Sequence, residues 1–211
     1  MTALVWALLV ITAATAVADW VAVGRNIRWL EYVTKPGFMA GLILLAVALH
    51  PANPAERVFF IVALAFGLIS DAFLMLPTDM FLAGLVAALV EHLVYISGFR
   101  TRELHVTLLI VAAIIALASV AVFLPPIYRA VQARQRSLSL PVLMYVIVFV
   151  LMVSSAGGTG SLVALAGALL FFYSDAVLAW NRFVRPLPAG RVVNIVPYHL
   201  GQAFLVLSLL T

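Results

Sequence analysis

Eight apolar runs follow one another along the chain, at about 2–23, 36–50, 57–76, 80–98, 104–124, 139–156, 160–181 and 191–211. Short clusters of charge, Pro or Gly separate them, among them Arg25-Asn26-Ile27-Arg28, Pro51-Ala52-Asn53-Pro54, Pro77-Thr78-Asp79, Pro125-Pro126 and Ala156-Gly157-Gly158. A membrane span uses about 20 apolar residues. In lipid every backbone amide must bond within its own segment, so runs of this kind are helices. The pattern predicts an all-α integral membrane protein of eight transmembrane helices, residues 1–211 forming one polytopic domain. The first run ends Ala14-Thr15-Ala16-Val17-Ala18, which also suits a signal-peptide cleavage site. It has no basic n-region and the length of a full span, and is read as the first helix.

Composition agrees with this architecture. Hydrophobic residues make up 66% of the chain and charged residues 9%, against about 45–50% and 25% in soluble domains. The mean hydropathy is +1.21, and the connections leave no room for a separate soluble domain. There is no Cys, so disulfides, thiolate metal sites and a cysteine nucleophile are excluded.

The formal charge of +4 reflects cations in short loops rather than a nucleic-acid-binding face. Loops 1–2, 3–4, 5–6 and 7–8 hold Arg25, Arg28, Lys35, Arg129, Arg134, Arg136, Arg182, Arg185 and Arg191; the other side holds Arg57, Arg100 and Arg102. The positive-inside rule places the first set in the cytoplasm and both termini outside. The short loops suggest a bacterial inner (plasma) membrane.

Three landmarks recur in order. Ser70-Asp71-Ala72-Phe73-Leu74 returns as Ser174-Asp175-Ala176-Val177-Leu178, Pro36-Gly37-Phe38-Met39 as Pro141-Val142-Leu143-Met144, and His92-Leu93 as His199-Leu200. This predicts two parallel four-helix halves, 1–103 and 104–211, with a polar site at their interface.

Asp71 and Asp175 each fall about 10 Å inside the cytoplasmic boundary at helical rise. A carboxylate there costs several kcal/mol unless it is paired, protonated or wet. The other reading is a pair of protonated side chains bonding helix to helix. Tyr198, His199 and Gln202 reach the same depth, and Lys35, ahead of Pro36, opens the second helix as a headgroup anchor or a phosphate contact. His92 and Tyr95, three apart, share one helix face, with His92 expected to face a cavity. Glu91 lies near mid-membrane and needs a partner there. Ser70, Ser174 and Asn181 flank the two acids. Neither a His-Glu-x-x-His zinc motif nor a Gly-x-Ser-x-Gly elbow occurs, and no phosphate-cradling glycine loop is present. Gly157-Gly158-Thr159-Gly160 is read as a tight turn. Carboxylate acid–base chemistry remains, with no metal or cofactor expected.

Lys35-Pro36, Ser70-Asp71-Ala72-Phe73-Leu74-Met75-Leu76, Phe81-Leu82-Ala83-Gly84, His92-Leu93-Val94-Tyr95, Phe172-Tyr173-Ser174-Asp175-Ala176-Val177-Leu178-Ala179 and Tyr198-His199-Leu200-Gly201-Gln202 resemble the YhhN-type lysoplasmalogenases. The resemblance runs in order over nearly the whole chain. It departs at Ser70, where that family usually has Gly. It implies hydrolysis of the vinyl ether bond of a lysophospholipid substrate, releasing a fatty aldehyde and glycerophosphocholine or glycerophosphoethanolamine. Protonation of the β carbon gives an oxocarbenium ion that water captures. That chemistry needs one protonated carboxyl group and one carboxylate. Asp71 and Asp175 would supply them in an unassigned order. Tyr198, His92 and Gln202 would position water and the ether oxygen, and Lys35 would meet the lipid phosphate. The only partners expected are substrate and membrane lipids, with no nucleic acid and no obligate protein. A proton-coupled small-molecule or lipid transporter and an intramembrane aspartyl protease are the competing readings.

Overall fold

All eight apolar runs are helical in the computed structural model, which describes residues 2–211. The helices are α1 (Ala3–Gly24), α2 (Arg28–Ala48), α3 (Pro54–Met75), α4 (Phe81–Phe99), α5 (Val106–Arg134), α6 (Ser139–Gly158), α7 (Leu162–Ala179) and α8 (Gly190–Leu207). Each is long and apolar enough to cross a bilayer, counting with α6 to α8 the short turns that extend them. α1 and α2, α3 and α4, α5 and α6, and α7 and α8 pair as hairpins, α2 lies against α3, α4 against α6, and α8 against α1 and α2. Trp6, Val10, Trp29, Ile114, Val122, Leu140 and Leu162 face outward and are more than half exposed. A belt of large apolar side chains on this scale requires lipid around it.

Three boundaries differ from the sequence expectation. α2 begins at Arg28 rather than at residue 36, so Lys35 and Pro36 lie inside it, two turns from its start. Arg28, Glu31 and Lys35 fall at i, i+3 and i+7, on one face. That face lines a cavity, so charges that looked like loop chemistry sit on a helix. α5 passes through Pro125 and Pro126 and ends at Arg134, giving 29 residues, about 43 Å at helical rise. The two prolines remove two amide donors, and the helix continues beyond them. α7 runs on into a π-helical turn, Trp180–Val184. Gly157 and Gly158 belong to α6, and the turn is confined to the residues after them, with Gly160 at φ +80°.

Small residues let α7 and α8 touch backbone to backbone. A Cβ on Gly201 would lie 2.8 Å from the Phe171 amide nitrogen, and one on Gly167 2.9 Å from that of Leu205. Such contacts replace the hydrophobic driving force that lipid removes. At the end away from the cavity, Arg102 donates from Nε to both carboxylate oxygens of Glu56, at 2.8 and 2.9 Å. Its terminal nitrogens bond the carbonyls of Thr211 and Ser208, tying α3, the α4–α5 connection and the end of the chain together.

Candidate active site

Helix ends of α2, α3, α4, α7 and α8, with α5 and α6 as a wall, enclose a cavity of about 370 Å³. It reaches from Arg28, Leu76, Phe81 and Arg191 at one end down to Glu91. Glu91 is ten residues into α4, about 15 Å at helical rise. The walls are apolar, with Leu85, Val120, Phe123, Val146 and Phe149 among them, and the polar groups are few. This combination is typical of small-ligand sites.

Asp71 and Asp175 both line this cavity. Asp71 is four residues from the end of α3, while Asp175 is nine from the end of the π turn that extends α7. Each is braced through the serine before it. Ser70 donates to the Gly84 carbonyl of α4 at 2.9 Å, and Ser174 to the Asn194 carbonyl of α8 at 2.9 Å. Asn194 Nδ2 returns a bond to the Ser174 carbonyl at 2.8 Å.

The acids differ in their partners. Asp71 Oδ1 meets Lys35 Nζ at 2.8 Å, and its Oδ2 accepts from the Tyr198 hydroxyl at 2.7 Å. Lys35 also lies 5.4 Å from the centre of the Tyr198 ring. Asp71 is thus ion-paired on one oxygen and hydrogen-bonded on the other. Asp175 Oδ2 accepts a hydrogen bond from the Tyr145 hydroxyl. No Lys or Arg approaches it within 4.0 Å among the described residues; the nearest basic group is His92 Nε2 at 3.9 Å.

His92 does not face the cavity. It is fully buried, and its Nε2 lies 2.8 Å from the Tyr145 hydroxyl, which stands between it and Asp175. Phe149 and Phe171 cover its ring. With the Tyr145 proton directed at Asp175, His92 Nε2 is the donor to the phenol oxygen, and Nδ1 is left buried without a partner. The result is a His92–Tyr145–Asp175 chain.

Tyr95 and Gln202 also lie behind the cavity. The Tyr95 hydroxyl donates to Gln202 Oε1 at 2.8 Å, and Gln202 Nε2 donates to Glu91 Oε1 at 2.6 Å. Glu91 is the member of this chain that lines the cavity. Room for it exists because residue 67 is glycine, where a Cβ would stand 2.6 Å from Glu91 Oε1.

His199 is separate from these groups. Its Nδ1 accepts from Trp20 Nε1 at 3.1 Å, and Phe38 stacks on it with centroids 3.9 Å apart. Its Nε2 faces Asp19 Oδ2 at 3.7 Å, and Thr34 donates to Asp19 Oδ1 at 2.6 Å. Asn181 borders the cavity while its Oδ1 accepts from the Leu187 amide at 2.9 Å, shaping the α7–α8 connection.

Sequence reasoning missed Tyr145, Asn194 and the Asp19–Thr34 pair, and did not assign Glu91 to the site. A tyrosine in an apolar span carries no distinguishing local pattern. Glu91 had the signal of an intramembrane acid but no visible partner.

The YhhN family model matches residues 30–209. "Lysoplasmalogenase TMEM86B" of Mus musculus is 32% identical over 193 residues, spanning 86% of this chain and 80% of its own length. "Lysoplasmalogenase TMEM86A" of Bos taurus is 30% identical over 198 residues, spanning 85% and 78%. The Homo sapiens TMEM86B lysoplasmalogenase is 32% identical over 151 residues, which span 70% of this chain and 62% of that protein. No solved structure matches the chain.

Proposed function

The chain belongs to the YhhN family, and on that premise we propose that it is an intramembrane lysoplasmalogenase. It hydrolyses the vinyl ether bond of an alkenyl-glycerophospho-base to a fatty aldehyde and glycerophosphocholine or glycerophosphoethanolamine. The observation that carries this reading is the pair of aspartates on one cavity with unlike partners: Asp71 against the Lys35 ammonium, Asp175 against the Tyr145 phenol.

Those partners support one order of proton transfer. Asp175, which has no matching Lys or Arg, enters as the acid and gives its proton to the β carbon of the vinyl ether. The α carbon becomes an oxocarbenium ion, and the Asp71 carboxylate stabilises it. Asp71 takes a proton from the attacking water, and a hemiacetal forms. Asp71 then returns that proton to the glycerol oxygen as the carbon–oxygen bond breaks, while the hemiacetal hydroxyl proton passes to Asp175. Aldehyde and alcohol leave, and both side chains are restored. The Tyr145–His92 chain orients Asp175, and Tyr198 orients Asp71.

The same reading puts the cavity mouth, on the side with nine of the twelve Lys and Arg residues, at the cytoplasmic leaflet of a bacterial inner membrane, with both termini outside. It also relates residues 1–103 to 104–211 as two parallel halves. The matched bonds of Ser70 and Ser174 support that relation.

The test is fatty-aldehyde release from alkenyl-glycerophosphoethanolamine by purified protein in detergent, beside Asp71→Asn, Asp175→Asn and an ester-linked lysolipid. Wild type should release aldehyde from the vinyl ether only. Each variant should be slower by about 10² or more, as expected for loss of a general acid or base. Full turnover in a folded Asp variant would remove that residue from the mechanism. A folded wild type that releases no aldehyde would overturn the reaction and return attention to gradient-driven transport.

A further inference from the structure

Lys35, read from the sequence as a headgroup anchor or a phosphate contact, pairs in the structure with Asp71, 2.8 Å away. A second cation lies nearer the cavity mouth. Seven residues before Lys35, on the same face of α2, Arg28 lines the outer end of the cavity. Its side chain is exposed, and among the described residues no hydrogen bond or ion pair engages it. Across the mouth, Arg191 of α8 donates to both carboxylate oxygens of Glu31, at 2.5 and 2.6 Å, and to Asn26 Oδ1 at 3.2 Å.

We propose that Arg28, backed by Arg191, is a subsite for the phosphodiester of the substrate headgroup, a proposal that rests on the lysolipid reading above. Charge supports it. Arg28, Glu31 and Arg191 carry one net positive charge, which complements a phosphodiester monoanion, while Lys35 and Asp71 neutralise each other deeper in. Depth supports it too. Arg28 and Lys35 are separated along α2 by about 10 Å at helical rise. The glycerol linker between phosphorus and ether oxygen, together with the arginine side chain, bridges that interval. A phosphate at Arg28 therefore sets the vinyl ether beside Asp71 and Asp175. The planar guanidinium is also the side chain best shaped for two phosphate oxygens.

The test compares wild type, Arg28→Gln and Arg28→Lys in an uncharged maltoside detergent on alkenyl-glycerophosphoethanolamine and on alkenylglycerol, which lacks the phosphate. Wild type should favour the phospholipid. Arg28→Gln should raise its KM by about tenfold, the worth of a charge-assisted hydrogen bond, with kcat nearly unchanged and the alkenylglycerol KM unmoved. Arg28→Lys should recover part of the loss. Equal wild-type kcat/KM on both substrates, or an Arg28→Gln defect shared by both, overturns the subsite. Competition by inorganic phosphate without any wild-type preference for the phospholipid also overturns it, in favour of a free-phosphate site. A binding arm separates this result from failure of the reaction. Calorimetric titration with the uncleavable alkyl-glycerophosphoethanolamine should show the same tenfold weakening in Arg28→Gln and none with alkylglycerol, whether or not the protein turns over a vinyl ether. Equal affinities of wild type and Arg28→Gln for the phospholipid overturn the proposal by themselves.

Discussion

Asp71 and Asp175 share a sequence context, Ser-Asp-Ala, yet their surroundings make them unlike. Asp71 and Lys35 are a nearly buried pair. Removing one partner of such a pair leaves an uncompensated charge and costs about 3–5 kcal/mol. Lys35→Met should therefore lower the thermal midpoint in detergent sharply, and the double variant Lys35→Met/Asp71→Asn should regain much of it. Strictly additive losses would mean that the two charges do not depend on each other. Tyr145 is the only described side chain bonded to Asp175, and its hydroxyl also holds His92. Tyr145→Phe should lower kcat by about tenfold or more, with KM little changed, by misplacing the carboxyl group proposed as the acid. An unchanged kcat would leave Tyr145 a packing residue. The two aspartates were legible from their depth and repetition. Tyr145 was not, because its role comes from α6 standing between α4 and α7.

Individual helices carry the site by where they begin, end and cross. Gly167 and Gly201 set the α7–α8 crossing, which positions Ser174 against Asn194. Gly201→Val should destabilise the protein and reduce aldehyde release. Thermal unfolding would show whether lost packing accounts for lost activity. The π turn at the end of α7 is held over the cavity mouth by Arg182, which donates to both oxygens of Asp79 at 3.0 and 2.8 Å. Its guanidinium also lies 4.0 Å from the Phe81 ring centre. Those hydrogen bonds from Arg182 hold the Asp79 carboxyl below its ordinary range. The bridge thus contributes stability at neutral pH and loses it as pH falls through that lowered range. Asp79 is largely exposed, so the contribution is small. The thermal advantage of wild type over Asp79→Asn should vanish in acid, and an advantage independent of pH would place the effect elsewhere. Helix existence was plain from the apolar runs. The start of α2 and the end of α5 were not, because a proline ordinarily marks a helix boundary, whereas Pro36, Pro125 and Pro126 lie inside these helices.

At the scale of the whole molecule, an even number of spans puts both termini on one side, opposite the cavity mouth. Reporter fusions at each end should report the same compartment, outside. A cytoplasmic signal from both would reverse the orientation of the cavity with it, and unlike signals would overturn the even number of spans. α1 joins the bundle through Trp20 on His199 of α8, 179 residues away, and through Asp19 on Thr34 of the neighbouring α2. No local pattern announces them.

Sequence alone determined that the chain is an eight-helix membrane protein with acids, Asp71, Glu91 and Asp175, inside its spans. Chain length against bilayer thickness, and the cost of a lone carboxylate in lipid, permit little else. Tertiary structure decided which groups meet. It turned Lys35 from a headgroup contact into the counter-ion of Asp71, withdrew His92 behind Tyr145, drew Gln202 to Glu91 and moved His199 to Asp19. Helical periodicity fixes the face on which a side chain lies. The neighbour on that face depends on how helices pack, and contacts such as Tyr198 with Asp71, 127 residues apart, exist only once α3 and α8 have come together.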